Sequence, residues 1–510
     1  MTVFGVRDLM CLLGLALLGP AGWGSEPQWQ EVRSAHFIVN SDANPRKAQL
    51  VAEAFENLRE VFHQGFPNLK VDTPNPLVIF AMDGEASFSA FLPWYWKVDG
   101  GTHPVGVFFS HGDQDYAVVR ADLGLYGDFQ NHDVYHEYTH SVFRLNFRQL
   151  PLWLDEGLAE YFGDTVFGRS EVAIGNTNRW RLGFMSSDDF QWLPLDTILL
   201  TNLQSTSYTE ALPAQHFYAE SWLLVRYLLL DPEAQRQQLM QKYLQAWLRT
   251  GDSLEAAKIS LGDLGALQTR LRSYMGQKVH GYQRMKFVTL DLDKDLRTRP
   301  LSLAEGLAAQ GRLLVDCGRP EEALPLLQKA AQLAPGLSSV HTSLGTLALA
   351  QRDPERSRAE FQAAMGLDPA DFTPAFRLGR ELMQQSVPAD TNRAVTCLET
   401  AIHLDGKSAP AHDALAKAYL RVPDQRPKAI AAEKRACELD PLELRYLADL
   451  GGIFLSLNEI PKAKMVGELL RRSVYTPQDK NMLAEYLARV AKAEQQASAV
   501  KPGSELPPPS

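Results

Sequence analysis

The chain has 510 residues, 45% of them hydrophobic and 22% charged, and a net charge of -10. The length exceeds one ordinary domain of about 150 residues, and the composition is that of a folded globular protein and excludes a disordered one. The acidic balance argues against a nucleic-acid binder, since phosphate contacts need a basic surface. At the start of the chain, Arg7 precedes an apolar run from Leu9 to Leu18, and the small residues Ala21, Gly22 and Gly24 follow. That order predicts a secretory signal peptide over 1–24. The run is shorter than the roughly 20 apolar residues that span a bilayer. The expectation is an exported protein, periplasmic or secreted, with retention by an uncleaved N-terminal anchor as the other outcome. Met10 stands before Cys11 where a lipobox has a small residue, which argues against lipidation there. No later stretch is long and apolar enough for a membrane helix, so no membrane span is expected once the signal is removed.

Residues 25–290 read as one α+β domain, with strands early and helices late. Apolar and aromatic runs predict strands over 36–40, 77–82, 105–110 and 116–120. A turn-rich 111–113 separates the last two. Leu50, Ala54, Phe55, Leu58 and Phe62 recur at helical spacing and predict a helix over 46–62. Further helices are predicted over 131–147, 154–164, 216–230 and 233–249. A linker is placed near 294–300.

Residues 300–475 repeat themselves. Segments beginning at Leu333, Leu367, Leu404 and Leu439 are spaced 34, 37 and 35 residues apart. In register, Gly311, Gly345, Gly379 and Gly451 share one position, with Ala416 in the fourth unit. Ala323, Ser357, Ala394 and Ala463 share another. Small residues at fixed places mark close helix approach, and large ones such as Leu327 and Phe361 fill the groove between. Four to five units are visible, and they resemble tetratricopeptide repeats. The resemblance implies an all-α solenoid that binds a partner the sequence does not name. Residues 476–510 comprise a charged capping helix over 476–496 and a Pro-rich tail over 501–510 that reads as disordered. Cys317, Cys397 and Cys437 lie in the repeats and form neither a disulfide framework nor a zinc pattern.

The chemistry lies earlier. His136, Glu137 and His140 form an H-E-x-x-H segment. Residues four apart lie on one helical face, so both imidazoles can reach one zinc ion. Glu137 falls beside them, where it can take a proton from an activated water. With 12 His in the chain, chance alone gives such a match in roughly one or two of a hundred chains this long, so a third ligand has to carry the argument. A three-histidine site would need Gly and His where Phe143 and Asn146 stand, which excludes that class. Glu156, after Pro151 and at the start of the next predicted helix, is well placed to complete the site.

The segment WLDEGLAEYF (153–162) looks like the second motif of gluzincin metallopeptidases. Joined to HEYTH (136–140) and to trailing repeats, it resembles the bacterial peptidase-MA-like family over about residues 35–290. The resemblance implies a zincin-like fold and one zinc ion per chain on His136, His140 and Glu156. It makes Glu137 the general base and a peptide or protein the substrate. It also implies that Glu160, four residues after Glu156, steadies a ligand histidine. Tyr218, or less directly His216, is then the donor to the developing oxyanion. By the same likeness the strand over 105–110 pairs with substrate backbone. Endopeptidase and aminopeptidase readings both stay open. His132 receives no role. The alternative from another class is a repeat scaffold that binds a partner and carries a vestigial or structural metal site.

Overall fold

The computed structural model describes residues 28–499 apart from 74, 98–103, 112–113, 123–130, 278–279, 289, 291, 293 and 385–387. The segments expected to be a signal peptide, 1–24, and a disordered tail, 501–510, lie outside the described residues. The chain opens with β1 (Gln30–Arg33), β2 (Phe37–Ser41), α1 (Pro45–Gly65), β3 (Leu77–Met82) and α2 (Glu85–Phe91). Then come β4 (Gly106–His111), β5 (Gln114–Arg120), α3 (His132–Asn146), α4 (Leu152–Gly163), β6 (Val166–Phe167) and β7 (Glu171–Ile174). The helices α5 (Arg179–Met185), α6 (Leu195–Leu200), α7 (Thr206–Thr209), α8 (Ala211–Leu230) and α9 (Pro232–Arg236) follow. The domain ends with α10 (Leu239–Thr250), α11 (Ser253–Ser260), α12 (Leu264–Met275), β8 (Gln283–Lys286) and β9 (Arg297–Pro300).

Six strands form one sheet in the order β4-β5-β3-β2-β1-β9. β2, β3 and β5 are parallel, while β4, β1 and β9 run antiparallel to their neighbours. Alternation along a strand sends successive side chains to opposite faces. Ile79 and Ala81 of β3 therefore join the core shared with α1, α3 and α4, while Phe80 and Met82 join a second core on the other face. Both faces are covered, which explains why β3 reads as a continuous apolar run. A second, three-stranded sheet has the order β6-β7-β8.

Two sequence expectations are corrected here. The segment read as a linker, 294–300, contains β9, which pairs with β1 along its whole length. All four residues of its sequence, RTRP, are exposed, and the segment has no apolar run. The helix predicted over 233–249 is two helices, α9 and α10. Gln238 between them has φ +54, a left-handed conformation that an L residue cannot carry through a helix.

Among the described residues, ten helices then form five consecutive pairs. These are α13 (Leu303–Asp316) with α14 (Pro320–Leu333), α15 (Ser338–Ala350) with α16 (Pro354–Leu367), and α17 (Phe372–Leu382) with α18 (Pro388–Leu404). The last two are α19 (Ala409–Arg421) with α20 (Arg426–Leu439), and α21 (Leu444–Ser456) with α22 (Ile460–Ser473). The repeated glycines sit where the helices of a pair touch. A Cβ on Gly311 would meet Leu327 at 2.5 Å, one on Gly345 would meet Phe361 at 2.6 Å, and one on Gly379 would meet Leu398 at 2.6 Å. Gly451 breaks this pattern, since it faces Tyr486 of the final helix α23 (Pro477–Ala499). Cys317, Cys397 and Cys437 are half-buried free thiols.

The array is held to the first domain at both ends. At its start, Leu301 and Leu313 complete the second core of the sheet, and Tyr116 donates a 2.7 Å hydrogen bond to Asp316. At its far end, the Arg148 guanidinium pairs with Asp479, and Tyr475 packs on Trp247 with ring centroids 5.1 Å apart. Among the described residues, no helix is long and apolar enough to cross a membrane.

Candidate metal centre

α3 has two working faces. Val134, Tyr135, Tyr138 and Val142 are buried in the core, and the Tyr138 hydroxyl anchors the helix to the Val71 carbonyl at 3.1 Å. His132, His136 and His140 follow one another at four-residue spacing, the periodicity that keeps side chains on one face. Phe143 is buried in the core, and the Asn146 amide is bonded to the backbone of Lys70 at both its ends. Neither can serve a metal. The chain turns over 147–151 and enters α4, whose second residue, Trp153, is fully buried and donates to Tyr243 at 3.1 Å. Gly157 lets α4 lie against α8. A Cβ there would come 2.6 Å from the Ser221 carbonyl.

This packing brings His136, His140 and Glu156 together. The two Nε2 atoms are 3.1 Å apart. Glu156 Oε2 lies 3.4 Å from His136 Nε2 and 3.5 Å from His140 Nε2. Zinc–ligand bonds of about 2.0–2.1 Å in a tetrahedron separate neighbouring ligand atoms by about 3.3 Å, so the triangle fits such an ion. Glu156 Oε2 is buried with no hydrogen-bond partner, a state that is costly for a carboxylate unless a cation satisfies it. The donor set of two imidazoles and one carboxylate suits zinc. Burial opposes the charge on Glu156, but the two histidines outweigh it and hold its pKa well below the usual carboxylate range.

Three further groups hold these side chains. Asp155 Oδ2 is 3.3 Å from His140 Nδ1. The Tyr208 hydroxyl of α7 donates to Glu156 Oε1 at 2.9 Å. Glu160 Oε1 is 3.7 Å from His136 Nδ1, while Oε2 pairs with Arg181 and lies 3.3 Å from His132 Nε2. Burial raises the Glu160 pKa, but Arg181 and His132 outweigh that and bring it to about 2. His132, without a role in the sequence reading, sits between Glu160 and Asp164. Burial lowers its pKa, yet the carboxylates of Asp133, Glu160 and Asp164 raise it to about 10. Gly163 leaves room for its ring, since a Cβ there would meet His132 Nε2 at 2.8 Å. Asp155 received no role from the sequence, where its place beside Glu156 is the signal that could have found it. Tyr208 and Arg181 carry no sequence signal, because both arrive from other segments.

Glu137 points into the same cavity and is buried. Burial raises its pKa to about 7 against the opposing effect of His136 and His140. Its carboxylate rests on the β4 backbone, where a Cβ on Gly106 would come 2.7 Å from Oε1. β4 is the last strand of the sheet and pairs only with β5 among the described residues. Tyr218 lines the cavity from α8, its ring centroid 6.4 Å from that of His136. Burial pushes its hydroxyl pKa well above the usual value, so it stays protonated. His216 is elsewhere: its Nδ1 contacts the Gln191 carbonyl at 2.8 Å, and its ring stacks on Phe190 at 4.7 Å. The cavity has a volume of about 1710 Å³ and extends from β4 to Tyr475 and Thr476 at the end of the array.

Residues 131–249 match the family described as "Protein of unknown function (DUF1570)", a span that includes every residue of this centre. No curated protein matches the chain. Among solved structures, the chain is similar to MamA from Desulfovibrio magneticus RS-1, with 22% identity over 38% of this chain and 97% of that one and a TM-score of 0.29. It is similar to pilF of Pseudomonas aeruginosa, with 17% identity over 40% of this chain and 93% of that one and a TM-score of 0.32. A thermophilic tetratricopeptide protein of Thermus thermophilus matches with 18% identity over 37% of this chain and 99% of that one, at a TM-score of 0.30.

Proposed function

We propose that this chain is an exported zinc-dependent peptidase of gluzincin type, with a zincin-like domain and an array that recruits its substrate or a protein partner. The observation that carries the reading is the triangle of His136 Nε2, His140 Nε2 and Glu156 Oε2, whose carboxylate oxygen is buried without a hydrogen-bond partner. Those three residues would hold the ion. When bound, zinc supplies Lewis acidity, which acidifies water and polarises a carbonyl.

The residues of the chain do the rest. Glu137, against β4 and beside the histidines, takes the proton of the attacking water and gives it to the leaving amine. Tyr218, kept protonated by burial, donates a hydrogen bond to the oxyanion that develops on the carbonyl. The open edge of β4 pairs with the backbone of an extended peptide and lays it across Glu137. A cavity of about 1710 Å³ is larger than the roughly 300–1,000 Å³ of a small-molecule site, which favours a polypeptide substrate.

The test is a peptide-library digest with and without chelator, run beside metal analysis. The expected outcome is one zinc per chain and cleavage that stops with chelator. Glu137→Gln should keep the metal and lose at least about 100-fold in kcat, the usual scale for a general base. An undiminished rate in that variant rules out this mechanism.

A further inference from the structure

The fourth helix pair carries a departure from the repeat. Ala323, Ser357 and Ala394 are each followed four residues later by a large apolar side chain: Leu327, Phe361 and Leu398. All three are fully buried, and each lies against the glycine of its partner helix. In the fourth pair Ala429 takes the small-residue place, and the residue four positions on is Glu433. It too is fully buried. A carboxylate thus occupies a position that the first three pairs fill with hydrocarbon, and neither of its oxygens has a hydrogen-bond partner.

Glu433 does not stand alone. Asp413 of α19 and Asp449 of α21 face it, with one oxygen from each of the three carboxylates within 4.8 Å of the others. Lys417 Nζ lies 2.7 Å from Asp413 Oδ1 and 2.8 Å from Asp449 Oδ2. Arg445 also contributes positive charge nearby. Lys417 therefore bridges the two aspartates, one positive charge against their two, and contacts neither unpartnered oxygen of Glu433. Burial first, and then the charges of Asp413 and Asp449, raise the Glu433 pKa to about 9. The site has a solvent route, because the Lys417 side chain is 43% exposed and that of Asp449 28%.

We propose that Asp413, Glu433 and Asp449 form a second cation site, for a hard divalent ion such as Ca²⁺, between the fourth and fifth helix pairs. Oxygen-only donors select this class over zinc. Two oxygens in a Ca²⁺ shell, with bonds of about 2.3–2.6 Å, lie at most about 5 Å apart, which the 4.8 Å limit satisfies. On binding, the Lys417 ammonium leaves for solvent and the ion takes its place, ionising Glu433. The ion joins α19, α20 and α21, and so ties the fourth pair to the fifth. The site lies in the array and does not depend on the peptidase reading.

The experiment is thermal unfolding and calorimetric titration of the full chain, first stripped with chelator, with Ca²⁺, Mg²⁺ or Mn²⁺ added at about 1 mM, a level that fills weak extracellular-type sites. Wild type, Glu433→Leu and Asp449→Asn are compared. Binding at His136 and His140 is common to all three and cancels. The expected result is a rise of Tm in wild type with Ca²⁺, with none in Glu433→Leu. Without ion, Glu433→Leu should unfold at or above the wild-type temperature, because it restores the large apolar residue of the first three pairs. If Glu433→Leu does not fold, Asp449→Asn carries the test. A wild-type Tm that none of the three ions moves overturns the proposal. So does a response of equal size in the variants.

Discussion

The array and the first domain are specified in opposite ways. In the array, one relation recurs: a small residue on the first helix of a pair receives a large one from the second, as at Gly311 with Leu327 and Gly345 with Phe361. Each pair leans on its neighbours, so the pattern is local and redundant. In the first domain nothing recurs. His136, His140 and Glu156 come from two helices, Tyr208 from a third and Arg181 from a fourth, and each occupies its place once. The array sequence prescribes how closely backbones approach, and the first-domain sequence prescribes which atoms meet. Substitutions in the two regions should therefore move different observables.

The largest expected effect is the loss of a ligand. His140→Ala removes one corner of the triangle and leaves Asp155 without its partner. Bound zinc should fall from one per chain to near none, with cleavage lost and the helical signal of the array kept. Metal analysis together with circular dichroism reads both. Zinc retained at full stoichiometry would break the assignment of this residue.

The same contrast explains what was legible in the sequence. The array could be read because a phase-locked period repeats its evidence: the glycine positions and their large partners are where the period puts them. Gly451 escaped, since α23 and not α22 supplies its neighbour, and the last repeat of a solenoid has a different environment from the rest. In the first domain the meeting of His136, His140 and Glu156 was legible because helical spacing joins His136 to His140, and Pro151 starts a second helix near Glu156. Asp155 was next to that signal. Tyr208 and Arg181 were not legible, because their places follow from the packing of α7 and α5, which no local pattern encodes. β9 was missed for a related reason: RTRP has no alternation of its own and becomes a strand only by pairing with β1.

A smaller effect should follow from filling a repeat position. Gly345→Val would drive a methyl group into Phe361, whose nearest atom is 2.6 Å from the position of the added Cβ. Overpacking of this kind costs about 1–3 kcal/mol, to be read as a lower denaturation midpoint. Zinc content should stay at the wild-type value. Loss of zinc in this variant would sharpen the comparison differently. It would mean that the contacts at the two ends of the array, Tyr116 with Asp316 and Arg148 with Asp479, make the two regions one cooperative unit.

The smallest effect tests the part of the site that the sequence hid. Tyr208 holds one oxygen of Glu156 at 2.9 Å and leaves the other facing the two histidines. Tyr208→Phe removes only that hydroxyl. The ring keeps its packing against Phe217 and Tyr218, with centroids 6.0 and 5.9 Å away, so folding stability should barely change. The carboxylate then rotates more freely and must be ordered when the ion binds. Groups that orient a ligand are worth about 10–100-fold in metal affinity, and a neutral donor to one oxygen belongs at the lower end, about tenfold or 1.4 kcal/mol. Competition with a chelator of known affinity measures it, and the zinc-saturated variant should turn over near the wild-type rate. A change in kcat at full zinc occupancy, with affinity unmoved, would place the Tyr208 hydroxyl in the reaction itself and not in holding Glu156.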